Sequence, residues 1–306
     1  MRRAVIDIGT NSVLLLIAET GQKGAVTAIR DDAVITRLGE GIDENGAIGR
    51  LAFDRTMDAV VDYVKVCDQE GVGELTLLGT EVFRSAVNTP EILERFLEKT
   101  GHPLIVISAK DEARLSFLSV AGDIPPGDAI MALDIGGGST EIAIGNADTV
   151  SLTRSMPVGA VSLTERFLDR DPVSEENVAE LKNTLNGHLK ALPGVTENFH
   201  AVGIGGTITT VAALVKKMRR YDPEVIDGLR LSIRDIEDLE ALLLDTPVSE
   251  RSKLPGMEPG RADIIAAGVA ILSGVLNHFH LETIRVSIRG IRYGYMVEHP
   301  AERNYY

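Results

Sequence analysis

The stretch AVIDIGTNSVLLLI at residues 4–17 has a second copy in the chain, MALDIGGGSTEIAI at residues 131–144. Aligned on the aspartate, the copies share the motif Asp-Ile-Gly-x-x-Ser, at Asp7–Ser12 and at Asp134–Ser139. Apolar runs of this length next to glycine are typical of buried strands. Each copy therefore predicts a strand, a tight turn and a second strand. The duplication predicts an α/β protein with two lobes of similar plan.

The two predicted turns have the chemistry of a phosphate site. Glycine lets the backbone approach a ligand closely, and successive N–H groups in a turn form a concave site for anions. We therefore expect phosphate binding by the residues of both turns. These are Thr10, Asn11 and Ser12 in the first copy, and Gly136, Gly137, Gly138, Ser139 and Thr140 in the second.

Three carboxylates beside these turns are candidate metal ligands. Asp7 and Asp134 end the first strand of each copy, where a hard cation such as Mg²⁺ or Mn²⁺ binds directly or through water. A lone aspartate at a strand end more often caps its own turn, but the duplication favours the metal role. Glu141 lies within an otherwise apolar strand. Because a charged group there needs a partner, we expect it to bind the metal or an ordered water.

A third glycine turn occurs in FHAVGIGGT at residues 199–207. The pattern predicts a strand that leads into a glycine turn and then a helix, and the N-terminus of a helix attracts anions. Gly205, Gly206 and Thr207 are therefore further candidates for phosphate binding. Glycine turns before helices are also common structural features, and the pattern leaves both interpretations open.

The apolar periodicity and capping residues predict the helices around these motifs. Residues 51–70 are predicted to form a helix that buries Leu51, Val60, Val61, Val64 and Cys67. Ser108 and Asp111 form a capping-box pattern that starts another helix.

The composition limits the class of protein. A chain of 306 residues with 44% hydrophobic and 25% charged residues is predicted to be soluble and to have two domains. No apolar run approaches the length of a membrane span, and the N-terminus lacks the pattern of a signal peptide. The one cysteine, Cys67, excludes an internal disulfide and a cysteine zinc cluster. We therefore expect a cytoplasmic protein without membrane association.

The net charge of −14 argues against binding to nucleic acid, which requires a basic surface. A phosphate substrate would have to be held by local groups, namely metal ions, a few arginines and backbone N–H groups. The densest basic stretch, Lys216–Arg220, is predicted to lie late in a helix that ends near Arg220. There it is either a solvated helix end or a docking strip for a long polyanion.

Seven blocks of the sequence occur in the order of one protein family. They are DIGTNSVLLLI (7–17), GTEVFRSAVN (79–88), ISAKDEARLSFLSV (107–120), LDIGGGSTEIAI (133–144), GIGGT (203–207), LPGMEPGRADIIAAGVAIL (254–272) and VSIRGIRYG (286–294). Over nearly its whole length the chain resembles the exopolyphosphatase/guanosine pentaphosphate phosphohydrolase family, within the acetate and sugar kinase/Hsp70/actin superfamily.

This resemblance implies a fold and an arrangement of domains. The fold would be two actin-like (ribonuclease H-like) lobes with mixed sheets and an interdomain cleft. Residues 1–118 and a C-terminal helix within 289–306 would form the first lobe, and residues 119–288 the second.

The resemblance also implies metal-dependent hydrolysis of a terminal phosphoanhydride. The catalytic glutamate of the family falls on Glu112, and its phosphate-binding arginine falls on Arg84. Two departures bear on substrate choice. Glu81-Val82-Phe83 replaces a segment in which many members have a small residue and threonine or serine, and Ile288 stands where aspartate is frequent.

We therefore expect an exopolyphosphatase that releases orthophosphate from the end of inorganic polyphosphate. The alternative is a guanosine pentaphosphate 5′-phosphatase, which the sequence does not separate from it. An ATP-dependent kinase of the superfamily and a catalytically silent ligand sensor are less favoured. A homodimer would lengthen a polyphosphate channel, but the sequence does not establish the oligomeric state.

Overall fold

The computed structural model describes residues 1–21, 25–42, 46–125, 128–147, 149–168, 170–171, 173–192 and 199–300. Two units divide the chain. Unit 1 consists of Met1–Ser119 together with the stretch that begins at Gly290, and unit 2 consists of Val120–Arg289. Within the described ranges, no helix has the length and apolar character needed to cross a membrane.

Unit 1 is built on a five-stranded mixed sheet. Its strands are β1 (Arg2–Ile8), β2 (Ser12–Thr20), β3 (Val26–Ile35), β4 (Glu74–Gly79) and β5 (Leu104–Val106), in the spatial order β3-β2-β1-β4-β5. Its helices are α1 (Arg50–Gln69), α2 (Glu81–Ser85), α3 (Thr89–Thr100), α4 (Ala109–Ala121), which begins in this unit, and the C-terminal helix (Ile291–Glu298). β1, β4 and β5 are parallel, whereas β1-β2 and β2-β3 are antiparallel pairs.

Unit 2 is built on a six-stranded mixed sheet. Its strands are β6 (Ala129–Ile135), β7 (Thr140–Gly145), β8 (Val150–Met156), β9 (Phe199–Ile204), β10 (Arg230–Ser232) and β11 (Thr283–Val286), in the order β10-β11-β9-β6-β7-β8. Its helices are α5 (Ala160–Phe167), α6 (Glu175–Lys190), α7 (Gly205–Val215), α8 (Pro223–Ile226), α9 (Ile233–Asp245), α10 (Val248–Arg251) and α11 (Ile265–His278), with a 3₁₀ turn at Pro259–Arg261.

The two sheets repeat one topology. Without the edge strand β10, the order β8-β7-β6-β9-β11 reproduces β3-β2-β1-β4-β5 with the same strand directions. The hairpin turns also match, because the Gly9 N–H donates to the Ser12 carbonyl at 3.0 Å and the Gly136 N–H donates to the Ser139 carbonyl at 2.9 Å. The predicted fold class, two α/β lobes of the ribonuclease H-like type with mixed sheets, is confirmed.

The central strand of unit 1 is buried on both faces. Ile6 and Ile8 on β1 pack into the cluster that includes Phe53 of α1, whereas Val5 packs on the opposite face with Met296 of the C-terminal helix. A strand covered on both faces has a continuous apolar run rather than an alternating one. This packing explains why β1 and its counterpart β6 were recognisable in the sequence.

The C-terminal helix is joined to the unit 1 sheet by polar contacts as well. The Arg292 guanidinium donates to the Leu15 carbonyl at 2.7 Å and to the Asp31 carboxylate at 2.6 Å. A Cβ atom at Gly294 would overlap the Leu115 carbonyl of α4, so this close packing of two helices requires glycine.

Two local predictions were wrong. Leu51 is 78% exposed, because the buried face of α1 begins with Ala52 and Phe53, and the Phe53 ring packs edge-on against Phe96 at 5.8 Å between centroids. The helix after the third glycine turn ends at Val215, so Lys216–Arg220 follows it instead of lying inside it. Lys217 has a φ of +49°, a left-handed conformation that is typical of the end of a helix.

Candidate functional site

In both units the candidate residues lie at the carboxyl edge of the parallel strands. In unit 1 the first turn follows β1, Arg84 follows β4 and Glu112 follows β5. In unit 2 the glycine turn (residues 136–139) follows β6 and α7 follows β9. Open α/β sheets bind ligands at this edge, because loops and helix N-termini gather there.

The first turn is held by a neighbouring segment of unit 1. The Asn11 carbonyl accepts N–H groups from Thr36 and Arg37, both at 3.0 Å, and the Thr10 carbonyl accepts the Gly39 N–H at 2.8 Å. Thr10 and Asn11 are 7% and 6% exposed. The predicted turn is therefore a rigid element, and its carbonyl groups are occupied by backbone donors.

Thr10 also contacts an acidic side chain. Its hydroxyl donates to the Oε2 atom of Glu81, the first residue of α2, at 3.1 Å. Because an ionised carboxylate has no proton to donate, the threonine is the donor in this pair.

Arg84 and Glu112 form an ion pair in unit 1. The Arg84 Nη1 atom is 2.7 Å from Glu112 Oε2, and it also donates to the Ile107 carbonyl at 3.0 Å. Glu112 is 8% exposed, and the Arg84 side chain is 23% exposed. The structure thus places the predicted general base directly beside the predicted phosphate-binding cation.

The start of α4 positions Glu112. The Ser108 hydroxyl accepts the Asp111 N–H at 3.1 Å, and the Ser108 carbonyl accepts the Glu112 N–H at 2.9 Å. The Ser108 hydroxyl also donates to the Asp111 carboxylate at 2.6 Å. This hydrogen bond holds the pKa of Asp111 below its ordinary value, and a hydrogen bond from Arg114 makes a smaller contribution in the same direction. The first turn of α4 is therefore capped as the sequence predicted.

Asp7 is the next-to-last residue of β1. It is paired in register with Leu14 on β2 and with Leu78 on β4. Its carboxylate therefore belongs to unit 1, whereas the other two metal candidates belong to unit 2.

The glycine turn of unit 2 is fixed by α5. The Gly136 carbonyl accepts the Ala160 N–H at 2.9 Å, and the Gly137 carbonyl accepts the N–H groups of Val161 and Ser162 at 2.8 and 3.1 Å. These carbonyl groups accept N–H groups from the start of α5, and the Gly136 N–H donates to the Ser139 carbonyl, so binding of an anion by this turn would use its other N–H groups. Phosphate binding by this turn stays a prediction.

Two predicted phosphate ligands in unit 2 have hydroxyl groups with structural roles. The Thr140 hydroxyl donates to the Val158 carbonyl at 2.7 Å, and the Thr207 hydroxyl donates to the Ile135 carbonyl at 2.9 Å. Both residues are buried, at 0% and 3% exposure, and Ser139 is 3% exposed. The hydroxyl protons of Thr140 and Thr207 are therefore donated to backbone carbonyl groups.

The start of α7 lies against the end of β6. Gly205 has a φ of +85°, and a Cβ atom there would be 2.6 Å from Asp134 Oδ1. At Gly206 a Cβ atom would overlap the guanidinium group of Arg261. The positive φ favours glycine at Gly205, and a side chain at Gly206 would have to displace the Arg261 guanidinium, so a carboxylate and a guanidinium both approach the N-terminus of the helix.

Arg261 was not among the residues selected from the sequence. It is 8% exposed, and its Nε atom donates to Glu258 Oε2 at 2.9 Å. A guanidinium at a helix N-terminus adds positive charge where an anion is already favoured. The signal in the sequence was the specific Arg-Ala-Asp block at residues 261–263, but only the fold brings that block to Gly206.

Asp134 and Glu141 are directly opposite each other on β6 and β7. Residues in register on adjacent strands have side chains on the same face of the sheet. Glu141 is 2% exposed, and its Oε1 atom accepts the Ser155 hydroxyl at 2.7 Å. Two carboxylates held side by side in this way fit a hard divalent cation, which would offset their repulsion.

No group of three or more histidine, cysteine, aspartate or glutamate side chains in the described ranges has the geometry of a metal site. Magnesium usually binds one or two carboxylates and completes its coordination with water and substrate phosphate. The number of carboxylates in the unit 2 pair matches this requirement, and metal binding by Asp134 and Glu141 stays a prediction.

Comparison with known proteins identifies relatives of this chain. The model of the Ppx/GppA phosphatase family matches residues 16–301. Exopolyphosphatase 2 of Mycobacterium tuberculosis is 33% identical over 285 residues, which cover 89% of this chain and 88% of that protein. The bifunctional 3-dehydroquinate synthase/phosphatase of Fusobacterium nucleatum is 31% identical over 297 residues, and the match covers 93% of this chain but only 44% of that protein.

A solved structure of a Ppx/GppA family member from Aquifex aeolicus is similar over the whole chain. The two share 35% sequence identity with a TM-score of 0.82, and the match covers 100% of this chain and 99% of the other. The sequence match and this structural similarity show that the chain belongs to the Ppx/GppA phosphatase family.

Proposed function

We propose that the protein is an exopolyphosphatase, a phosphoanhydride hydrolase that releases the terminal orthophosphate of inorganic polyphosphate. The observation that carries the proposal is the contact between Arg84 and Glu112, at 2.7 Å, at the carboxyl edge of the unit 1 sheet. It joins a cation suited to a terminal phosphate to a carboxylate suited to an attacking water. Family membership and the activity named for the relative from Mycobacterium tuberculosis support it.

In this proposal, Arg84 binds the terminal phosphoryl group and Glu112 orients a water molecule toward its phosphorus atom. The water oxygen forms the new P–O bond, its proton passes to the Glu112 carboxylate, and the bridging P–O bond to the shortened chain breaks. Arg84 holds Glu112 in one orientation, so the ion pair positions the base before the substrate arrives. The N–H groups of the glycine turn and of the start of α7 bind phosphate oxygens in unit 2.

A divalent cation, Mg²⁺ or Mn²⁺, would neutralise charge on the phosphate oxygens when bound. Asp134 and Glu141 are the residues of unit 2 that would hold it, with Ser155 fixing the orientation of Glu141. Asp7 is the equivalent candidate in unit 1.

The composition supports a proposal for the cellular location and the partners of the protein. One buried cysteine and a net charge of −14 favour a cytoplasmic protein that binds neither nucleic acid nor membrane. A homodimer is part of the proposal only for long chains of polyphosphate, and light scattering of the purified protein tests it.

The test is orthophosphate release in the presence of magnesium from polyphosphates of several lengths, guanosine pentaphosphate and ATP. We expect release from polyphosphate and a loss of at least about 100-fold in kcat for Glu112→Gln. Glu91→Gln is the matched control, because Glu91 is 70% exposed on α3 and makes only a 4.0 Å contact to Arg95. Preference for guanosine pentaphosphate would favour the alternative substrate, and no release by a folded protein would refute the hydrolase.

A further inference from the structure

The contact between Thr10 and Glu81 changes what the first turn offers to a ligand. A threonine hydroxyl has a single proton, and Thr10 donates it to Glu81 Oε2 at 3.1 Å. The Thr10 methyl group packs against Gly39, where a Cβ atom would overlap it. Because the side chain is 7% exposed and held on both sides, its rotamer is fixed. The hydroxyl oxygen therefore presents lone pairs to a ligand instead of a proton.

A hydroxyl oxygen that can only accept hydrogen bonds is poorly suited to a phosphate oxygen, which has no proton to give when ionised. It is well suited to a water molecule of a hydrated cation, whose protons are strongly polarised. Thr10 was expected to bind phosphate directly, and its contact with Glu81 assigns it a different ligand.

The charges near the contact between Thr10 and Glu81 also favour a cation over a bare anion. Glu81 and Arg84 are three residues apart on α2, so their side chains lie on the same side of this short helix. Arg84 is already paired with Glu112 at 2.7 Å. Arg84 therefore has one carboxylate in contact and a second, Glu81, one turn away on α2, and both repel a bare phosphate chain that approaches the guanidinium.

We propose that Glu81 is a specificity-determining residue, which makes the unit 1 site select a phosphate chain that carries a divalent cation over the bare anion. Glu81 does so by repelling uncompensated phosphate and by fixing Thr10 as an acceptor for the water of that cation. This inference rests on the proposed function, since it assumes that Arg84 binds phosphate.

The test is the affinity for tripolyphosphate, measured by isothermal titration calorimetry in EDTA and again at saturating magnesium. Glu81→Gln removes the charge but keeps an amide oxygen that accepts the Thr10 proton. We expect this variant to bind tripolyphosphate about five- to tenfold more tightly than wild type in EDTA, from the loss of one nearby like charge. At saturating magnesium the difference should fall below about twofold, because the cation then compensates the charge.

Two further variants make the result specific. Glu91→Gln makes the same change of charge at an exposed position of the same unit and should leave both affinities unchanged. Thr10→Val removes the acceptor oxygen at nearly constant shape, and it should weaken binding about threefold or more with magnesium but not in EDTA. Far-UV circular dichroism checks that each variant is folded.

Equal affinities of wild type and Glu81→Gln in EDTA would overturn the inference, as would the same gain in Glu91→Gln or the absence of tripolyphosphate binding in both conditions. Orthophosphate release is assayed in parallel. Cation-selective binding without release would refute the hydrolase while the role of Glu81 stands. Release with no effect of Glu81→Gln on binding in EDTA would refute the role of Glu81 alone.

Discussion

The ion pair between Arg84 and Glu112 should be a strong determinant of the stability of unit 1. In the Arg84→Met variant, Glu112 stays at the low exposure of 8% but loses a hydrogen bond of 2.7 Å, and the Ile107 carbonyl loses a donor at 3.0 Å. Removing one partner of a buried pair costs about 3–5 kcal/mol. Because the Arg84 side chain is 23% exposed, water reaches the pair, and we expect a loss of about 2–3 kcal/mol.

The double variant separates the pair from its surroundings. Glu112→Gln keeps an oxygen that accepts from Arg84, so its cost should be about 1–2 kcal/mol. In Arg84→Met/Glu112→Gln no charge is left buried. The loss should therefore be smaller than the sum of the single losses, by a coupling energy of about 1.5–3 kcal/mol.

Urea unfolding followed by far-UV circular dichroism measures these free energies, since the chain has no tryptophan. Hydrogen exchange of β4 and α4 then locates the change in unit 1. Arg50→Met is the control, because Arg50 is 87% exposed and lies 3.7 Å from Asp54, where an ion pair contributes less than about 0.5 kcal/mol. Additive losses, within about 0.5 kcal/mol, would refute the reasoning that the two groups stabilise each other.

Three other predictions concern the fold and its ionisable groups. Gly187→Ala, in open space within α6, should raise the free energy of unfolding by about 0.5–1 kcal/mol. Gly159→Ala should lower it, because the new methyl group would overlap a carbonyl of the glycine turn. Urea unfolding of both variants measures these changes, and equal effects would contradict the prediction. A hydrogen bond from the Ser232 hydroxyl lowers the pKa of Asp235. The stability that this carboxylate adds is therefore complete above its ordinary pKa and is lost as the pH falls through the lowered pKa. In Asp235→Asn, the free energy of unfolding measured by urea at a series of acidic pH values should fall less steeply with pH than in wild type. Burial raises the pKa of the Cys67 thiol to about 11, so iodoacetamide at pH 8 should modify it only after unfolding. Rapid labelling of the native protein would contradict this prediction, because it would show that the thiol is accessible.

Local patterns in the sequence determined much of the fold. Asp-Ile-Gly-x-x-Ser between apolar runs predicted both hairpins, because a strand buried on both faces and a glycine turn leave a signature within a dozen residues. The capping residue Ser108 starts a helix as predicted, since a cap acts on an N–H group three residues away. Leu51 was misplaced because the buried face of α1 depends on contacts with α3 rather than on its own periodicity alone.

Contacts between distant parts of the chain were decided only by the tertiary structure. The sequence selected Arg84 and Glu112 by resemblance, but their contact exists because β4 and β5 are adjacent and parallel. The Arg261 guanidinium contacts Gly206, which is far from it in the sequence, and no local sequence pattern predicts that contact. Thr10 and Glu81 are 71 residues apart. Local residue types determine strands, turns and caps, whereas the direction of a hydroxyl proton or the partner of a guanidinium depends on strand order and side-chain packing, which only the folded chain establishes.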